Sequence, residues 1–239
     1  MLNGLDLDFE RLHKSLWIIL KRFRNLIFIS VFLVSVGAIA TYFFIPDLME
    51  YISKPVGKLI FLTPIEAFMT QMKICLIGGI YLAWPYIIFY FAKNFILPTK
   101  VISKKTMWIG ILSAVLLFYS GSMFAFLVIF PIGIRFLLSF GSPEIEPLFS
   151  IGKYVSFVSM FVFSFGLLFE MPVVLLVLVR LGIINSKQLA SQRKKAILGF
   201  FILAMLVSPS TDVFTQCTMA LPLVVLYEIS IWIARFWKR

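Results

Sequence analysis

Residues 154–180 read YVSFVSMFVFSFGLLFEMPVVLLVLVR, and the fold follows from how that stretch is taken. A run of this length and apolarity is too long for a strand. It exceeds the roughly 20 residues that an α-helix needs to cross a hydrocarbon core of about 30 Å. Its interior acid, Glu170, lies ten residues before Arg180, hence about 15 Å into the run and close to mid-depth. An ionisable group there costs a few kcal/mol and points to function, unless the carboxyl is bonded to a neighbour and only fixes helix packing. Pro172 follows two residues later. It has no N–H to offer the preceding turn, so a kink beside the acid is expected.

The rest of the chain suits the same solvent. Of its 239 residues 61% are apolar, 17% aromatic and 14% charged, with a mean hydropathy of +1.01. Soluble domains carry about 25% charged residues, so this composition excludes an ordinary globular enzyme. Four further stretches have spanning length: Leu26 to Ile45, Ile74 to Ala92, Met107 to Ile134 and Cys217 to Ala234. A sixth, Ala196 to Val207, is apolar but gives only about 18 Å of helix. The expectation is an all-α integral membrane protein with six transmembrane helices. Residues 26–239 form one membrane domain, preceded at 1–25 by an amphipathic cytoplasmic lead-in that has no signal-peptide cleavage site.

Basic residues orient it. Formal net charge is +11, from 22 Lys and Arg against 11 Asp and Glu. On one side of the spans fall five basic residues between Arg11 and Arg24, four between Lys93 and Lys105, five between Arg180 and Lys195, and Arg235, Lys238 and Arg239 at the end. The other side receives Lys54, Lys58, Lys73, Arg135 and Lys153. Lys and Arg accumulate in short cytoplasmic loops, so both termini are expected in the cytoplasm. Thr63-Pro64-Ile65-Glu66 reads as a capping box opening the second span, although Glu66 also sits where an outer partner could bind. Asp47 to Leu62 predicts an interfacial amphipathic helix broken near Pro55. Asn185 and Ser186 predict a short basic helix feeding the fifth span. Asp212, in SPSTDVFTQ, reads as a cap of the sixth helix. Glu228, seven residues before Arg235, lies within about 10 Å of the cytoplasmic end, where neighbours can reach it by snorkelling.

No phosphate-cradling loop, dinucleotide fingerprint or zinc-protease motif occurs, and a single histidine, His13, leaves no metal constellation. Neither metal nor cofactor is expected. Cys75 and Cys217 both lie in apolar runs and imply no disulfide framework. The basic clusters have few aromatics between them, which does not suit nucleic-acid binding.

Several segments in order resemble the TatC family, the multispanning receptor subunit of the twin-arginine protein translocase. LTPIEAF at 62–68, with Lys73 after it, is similar to the family's L-x-P-x-E-x-F. Phe124-Ala125-Phe126 followed by Pro131 matches its third span. FGLLFEMPVVL at 165–175 with LGII at 181–184 resembles its F-G-x-x-F-E-x-P signature, and DVFTQ at 212–216 with ALPLVVLYEISI at 220–231 resembles its closing segment. The resemblance implies a cupped, concave bundle with short fifth and sixth helices in the bacterial cytoplasmic membrane. It implies a receptor for folded precursors bearing twin-arginine signal peptides, assembled with single-span TatA and TatB partners and with copies of itself, and driven by the proton-motive force. By the same resemblance Glu10, Phe95 (in NFILP at 94–98) and Glu170 contact the signal region. Glu66, Asp212, Gln216, Tyr227 and Glu228 contact partner helices. The chain departs from the family where arginine is read. Arg22 stands at the glutamate expected before the first span and Lys104 near that of the first cytoplasmic loop, leaving Glu10, Asp8 or Asp6 to supply the carboxylate. Two other readings compete: a proton-coupled secondary transporter using Glu170 and Glu228 as a relay, and a divergent scaffold without signal recognition.

Overall fold

No proline occurs before Pro46, and the chain accordingly opens in one uninterrupted helix, α1 (Leu2–Tyr42). The computed structural model describes residues 2–57, 59–99, 101–139, 148–207 and 213–236, with backbone alone at 2–19, 22, 136, 137, 207 and 214. The lead-in and the first span are thus continuous, and the apolar part is Phe23–Tyr42. The span ends three residues earlier than the sequence suggested, because the chain turns at Phe43 and Phe44 into α2 (Ile45–Ser53). This short helix stops before Pro55, since the residue ahead of a proline disfavours helical backbone. Gly57 then takes φ +76°, a left-handed turn that glycine adopts without a Cβ clash.

Strand β1 (Leu59–Ile60) follows and pairs in parallel with β2 (Phe149–Ser150), Leu59 opposite Phe149. This two-residue ladder ties together two loops at the same end of the bundle. Next come α3 (Pro64–Phe91), α4 (Lys104–Phe124), α5 (Phe130–Leu138), α6 (Ile151–Phe169) and α7 (Met171–Arg180). The chain closes with α8 (Ser186–Ser191), α9 (Arg193–Val207) and α10 (Val213–Phe236). Two π turns, Ala92–Ile96 after α3 and Ala125–Ile129 after α4, each end two residues before a proline. Leu97 N–H reaches back to Ala92 and Phe130 N–H to Ala125. Pro98 and Pro131, which come next, cannot donate, and wider turns absorb the mismatch.

Among the described residues five helical segments have the length and apolarity to cross a membrane: Phe23–Tyr42, Pro64–Thr99, Lys104–Arg135, Ile151–Arg180 and Thr215–Phe236. Helix α9 has 15 residues, about 22 Å, and falls short of that length.

Small residues set the closest approach. Gly79 of α3 faces α1, where a Cβ would strike the Val34 carbonyl and come within 2.9 Å of the Ala38 nitrogen. The main buried cluster is aromatic and joins α3, the π turn before α5, and α6: Phe130, Tyr154, Phe161 and Phe165 sit in it with Ala125 and Ile129. Tyr154 also donates its hydroxyl to the Ile52 carbonyl at 2.8 Å, anchoring α2. A second cluster of Leu189, Phe200, Leu223, Tyr227 and Ile231 binds α8 and α9 to α10. Large side chains elsewhere, such as Phe28, Phe32, Leu112, Leu116 and Trp232, point outward, as hydrocarbon solvent allows.

Candidate functional site

Glu170 occupies the break that Pro172 predicts: α6 ends at Phe169, α7 begins at Met171, and the Glu170 N–H reaches the Leu167 carbonyl at 3.1 Å, a contact tighter than the α-helical one. The break lets the side chain leave the helix line. There it meets Trp84 of α3, whose indole Nε1 donates to Oε1 at 3.2 Å. Trp84 is itself held by rings. It stacks on Phe118 of α4 at 4.5 Å between centroids, and Phe163 of α6 meets it edge-on at 5.7 Å. Phe118 is fully buried and also touches Tyr81 at 5.2 Å. Tyr81 in turn donates to Ser122 at 3.1 Å. A carboxyl group inside the Ile151–Arg180 segment is therefore fixed by an aromatic box from α3, α4 and α6, and Trp84 is its one hydrogen-bond donor among the described residues.

The other candidates are not gathered around it. Glu66 is 18 residues from Trp84 along α3, about 27 Å at the helical rise. The capping box read from the sequence is only half formed. Thr63 accepts from the Glu66 N–H at 3.3 Å, but the Glu66 carboxylate does not return to Thr63 as its main partner. Oε2 takes the Leu62 N–H at 2.8 Å, while Oε1 takes the Ser150 hydroxyl and the Gly152 N–H at 3.0 Å. Better donors were available from the neighbouring loop, brought close by the β1–β2 ladder.

Phe95 lies half-buried in the first π turn, stacked on Phe91 at 5.0 Å and edge-on to Phe23 of α1 at 6.4 Å. Glu228 accepts from Arg193 at 2.9 Å across α9 and α10. Tyr227 is buried and donates to the Leu189 carbonyl at 2.8 Å. Gln216 is half-buried in the first turn of α10. Asp212 lies outside the described residues, as do the side chains of Glu10 and Arg22. The short basic helix expected through Lys195 is divided at Gln192: α8 starts where expected, with the Gln188 side chain accepting from the Asn185 N–H at 2.8 Å, but Arg193, Lys194 and Lys195 open α9.

Sequence reasoning missed Trp84, Ser150 and Arg193. Trp84 sits in an apolar run where an indole is unremarkable. The partnerships of Ser150 and Arg193 span 84 and 35 residues, with no local signal.

Comparison with known proteins agrees with this architecture. Residues 18–222 match the family model described as Sec-independent protein translocase protein (TatC). The TatC protein of Carboxydothermus hydrogenoformans is 42% identical over 92% of this chain and 92% of its own length. That of Aquifex aeolicus is 37% identical over 91% and 92%. A solved structure, titled as that of the twin-arginine translocase receptor TatC, superposes with a TM-score of 0.79 at 34% identity, covering 92% of this chain and 99% of that one. With the fold, the spanning helices and these matches in agreement, the chain belongs to the TatC family of Sec-independent protein translocase proteins and is a multi-pass inner-membrane component of a protein translocase, not an enzyme.

Proposed function

We propose that this chain is the signal-peptide receptor and organising subunit of a twin-arginine translocase, and that Glu170 is the group by which it engages a helix that enters the bundle. The observation that carries this reading is the carboxyl at the α6–α7 break, held at mid-depth by one indole donor and otherwise without a hydrogen-bond partner among the described residues. Polar groups at that depth are expensive. An incoming signal segment or partner helix with a donor of its own lowers the cost, and binding follows.

In this reading α9 is a sixth, short span beside the five longer ones. Both termini lie in the cytoplasm, where the basic loops concentrate. The bundle is cupped, and its concave side receives single-span TatA- and TatB-type partners and the signal peptides of folded precursors; copies of the chain associate in the assembly. Phe95, beside Phe23 where the second span leaves the membrane, and Glu10 of the lead-in serve the signal region. Gln216 and Asp212 at the start of α10 serve partner helices, and Glu66, at the end of α3 away from Phe95, acts on them indirectly by clasping the loops that carry β1 and β2. Tyr227 and Glu228 act on partners through α10, which they brace against α8 and α9. The Arg193–Glu228 pair leaves Glu228 poorly suited to a proton relay with Glu170.

The test is export of a folded fluorescent reporter, carrying a twin-arginine signal or its twin-lysine control, in cells without their own TatC, supplied with this protein and its native single-span partners. Arginine-dependent export that is lost in Glu170→Ala, with the variant still inserted and abundant, is the expected result. Full export by that variant overturns the role of Glu170. Failure of the unaltered chain, stably inserted with its partners, overturns the receptor reading and favours a scaffold.

A further inference from the structure

At the end of the molecule that carries α2 and the β1–β2 ladder, a cavity of about 610 Å³ opens between the first turns of α3 and α6. Its polar wall is made by Glu66, Lys73, Ser150, Lys153 and Ser156. The Glu66 carboxylate is occupied by the three donors from Leu62, Ser150 and Gly152. The two lysines are not neutralised. Lys73 Nζ donates to Ser156 Oγ at 2.8 Å, and neither Lys73 nor Lys153 makes an ion pair among the described residues. Ser156 gives its own proton to the Gly152 carbonyl at 2.6 Å, so Lys73 keeps two N–H groups to offer. The first turn of α6 adds the positive end of its dipole. The concavity therefore carries a net positive charge with unspent donors on two different spans.

Depth and surroundings name the ligand. The segment Pro64–Thr99 has 36 residues, about 54 Å at the helical rise, against about 30 Å of hydrocarbon. Its ends stand among headgroups, and Lys153 lies two residues into α6. One turn further on, Leu76 of α3 and Met160 of α6 are exposed, an apolar wall directly below the charged cavity. A free anion has no use for that wall; an acyl chain does.

We propose that this cavity is a binding site for the phosphate of an anionic phospholipid, bridged by Lys73 and Lys153 from two spans, with the acyl chains lying along Leu76 and Met160. The leaflet, the one opposite the basic cytoplasmic loops, rests on the orientation proposed above. The binding itself does not depend on signal recognition, so it is measured on purified protein and stands or falls separately from export.

The full chain is purified in a neutral detergent, and its affinities for phosphatidylglycerol, phosphatidylcholine and inorganic phosphate are compared by native mass spectrometry and by ligand-dependent melting. Phosphatidylglycerol is expected to bind selectively. In the double variant Lys73→Gln/Lys153→Gln its affinity falls about thirty-fold, at about 1 kcal/mol for each basic contact to an anionic lipid and 1.4 kcal/mol per tenfold. The control Lys104→Gln/Lys105→Gln, on the other side of the spans, keeps this site. Should the double variant fail to fold, Lys153→Gln alone, whose ammonium bonds no group among the described residues, carries the test with a drop of about fivefold. Unchanged phosphatidylglycerol affinity in the variants overturns the site. Equal protection by inorganic phosphate overturns the lipid in favour of a free anion. Lost export with unchanged lipid affinity assigns the lysines to an acidic partner segment and overturns the lipid as well.

Discussion

Glu66 belongs to α3 and Glu170 is bonded by Trp84 of the same helix, yet their environments are opposite. At the end that carries β1 and β2, Glu66 gathers three donors from two chain segments and closes the two loops joined by β1 and β2. Within the Ile151–Arg180 segment Glu170 receives a single long bond from Trp84 inside an aromatic box. A carboxylate filled by its own chain acts as a clasp. One left with spare accepting capacity in an apolar setting invites a donor from outside. Residue type and depth alone do not separate these cases; the count of donors does.

This contrast can be broken. Glu170→Ala is expected to lower arginine-dependent export at least tenfold while shifting stability by less than about 1 kcal/mol, as substitutions away from saturated networks do, measured by reporter export beside melting of the purified protein. Glu66→Ala is expected to do the reverse, costing about 2–3 kcal/mol for three lost hydrogen bonds. Hydrogen exchange at Leu59, Ile60 and Phe149 should then accelerate while export persists at permissive temperature. Were the two outcomes exchanged, the assignment of clasp and receptor would be wrong.

Smaller effects sharpen it. Trp84→Phe retains a ring against Phe118 but removes the indole donor, for a stability loss of about 1 kcal/mol and a partial export defect. Trp84→Leu should be worse, and the gap between the two measures the box. Glu228 resembles Glu66 in being filled from within. Breaking its half-exposed pair by Arg193→Ala should therefore cost only about 0.5–1 kcal/mol, visible as a small drop in melting temperature, with the swap Arg193→Glu/Glu228→Arg restoring most of it.

The five long spans were legible because apolar length is a one-dimensional property: the run around Glu170, the break at Pro172 and the short helix α2 ending before Pro55 all follow from local sequence. So was the position of the acid. Its surroundings were not, because Trp84, Phe118 and Phe163 are aromatic residues in apolar runs, indistinguishable by type from Phe28 or Trp232, which face outward. The partners of Glu66 escaped for a different reason. The capping pattern offered a sufficient local answer, and the loop that supplied better donors is 84 residues away. The π turns escaped too, because Pro98 and Pro131 announce a disturbance without saying whether the helix bends, stops or widens.

The brevity of α9 has a consequence for how the protein is made. Its first turn carries Arg193, Lys194 and Lys195, and the apolar part that follows is only about 18 Å long, a poor candidate for insertion on its own during synthesis. The Arg193–Glu228 pair, which ties α9 to α10, and the bond from Tyr227 to Leu189, which ties α8 to α10, form only when α10 is in place. In the six-span reading proposed above, the nascent chain holds α9 uncommitted until α10 has emerged and then inserts the two as a hairpin. On that reading, a chain halted before residue 213 leaves α9 outside the bilayer.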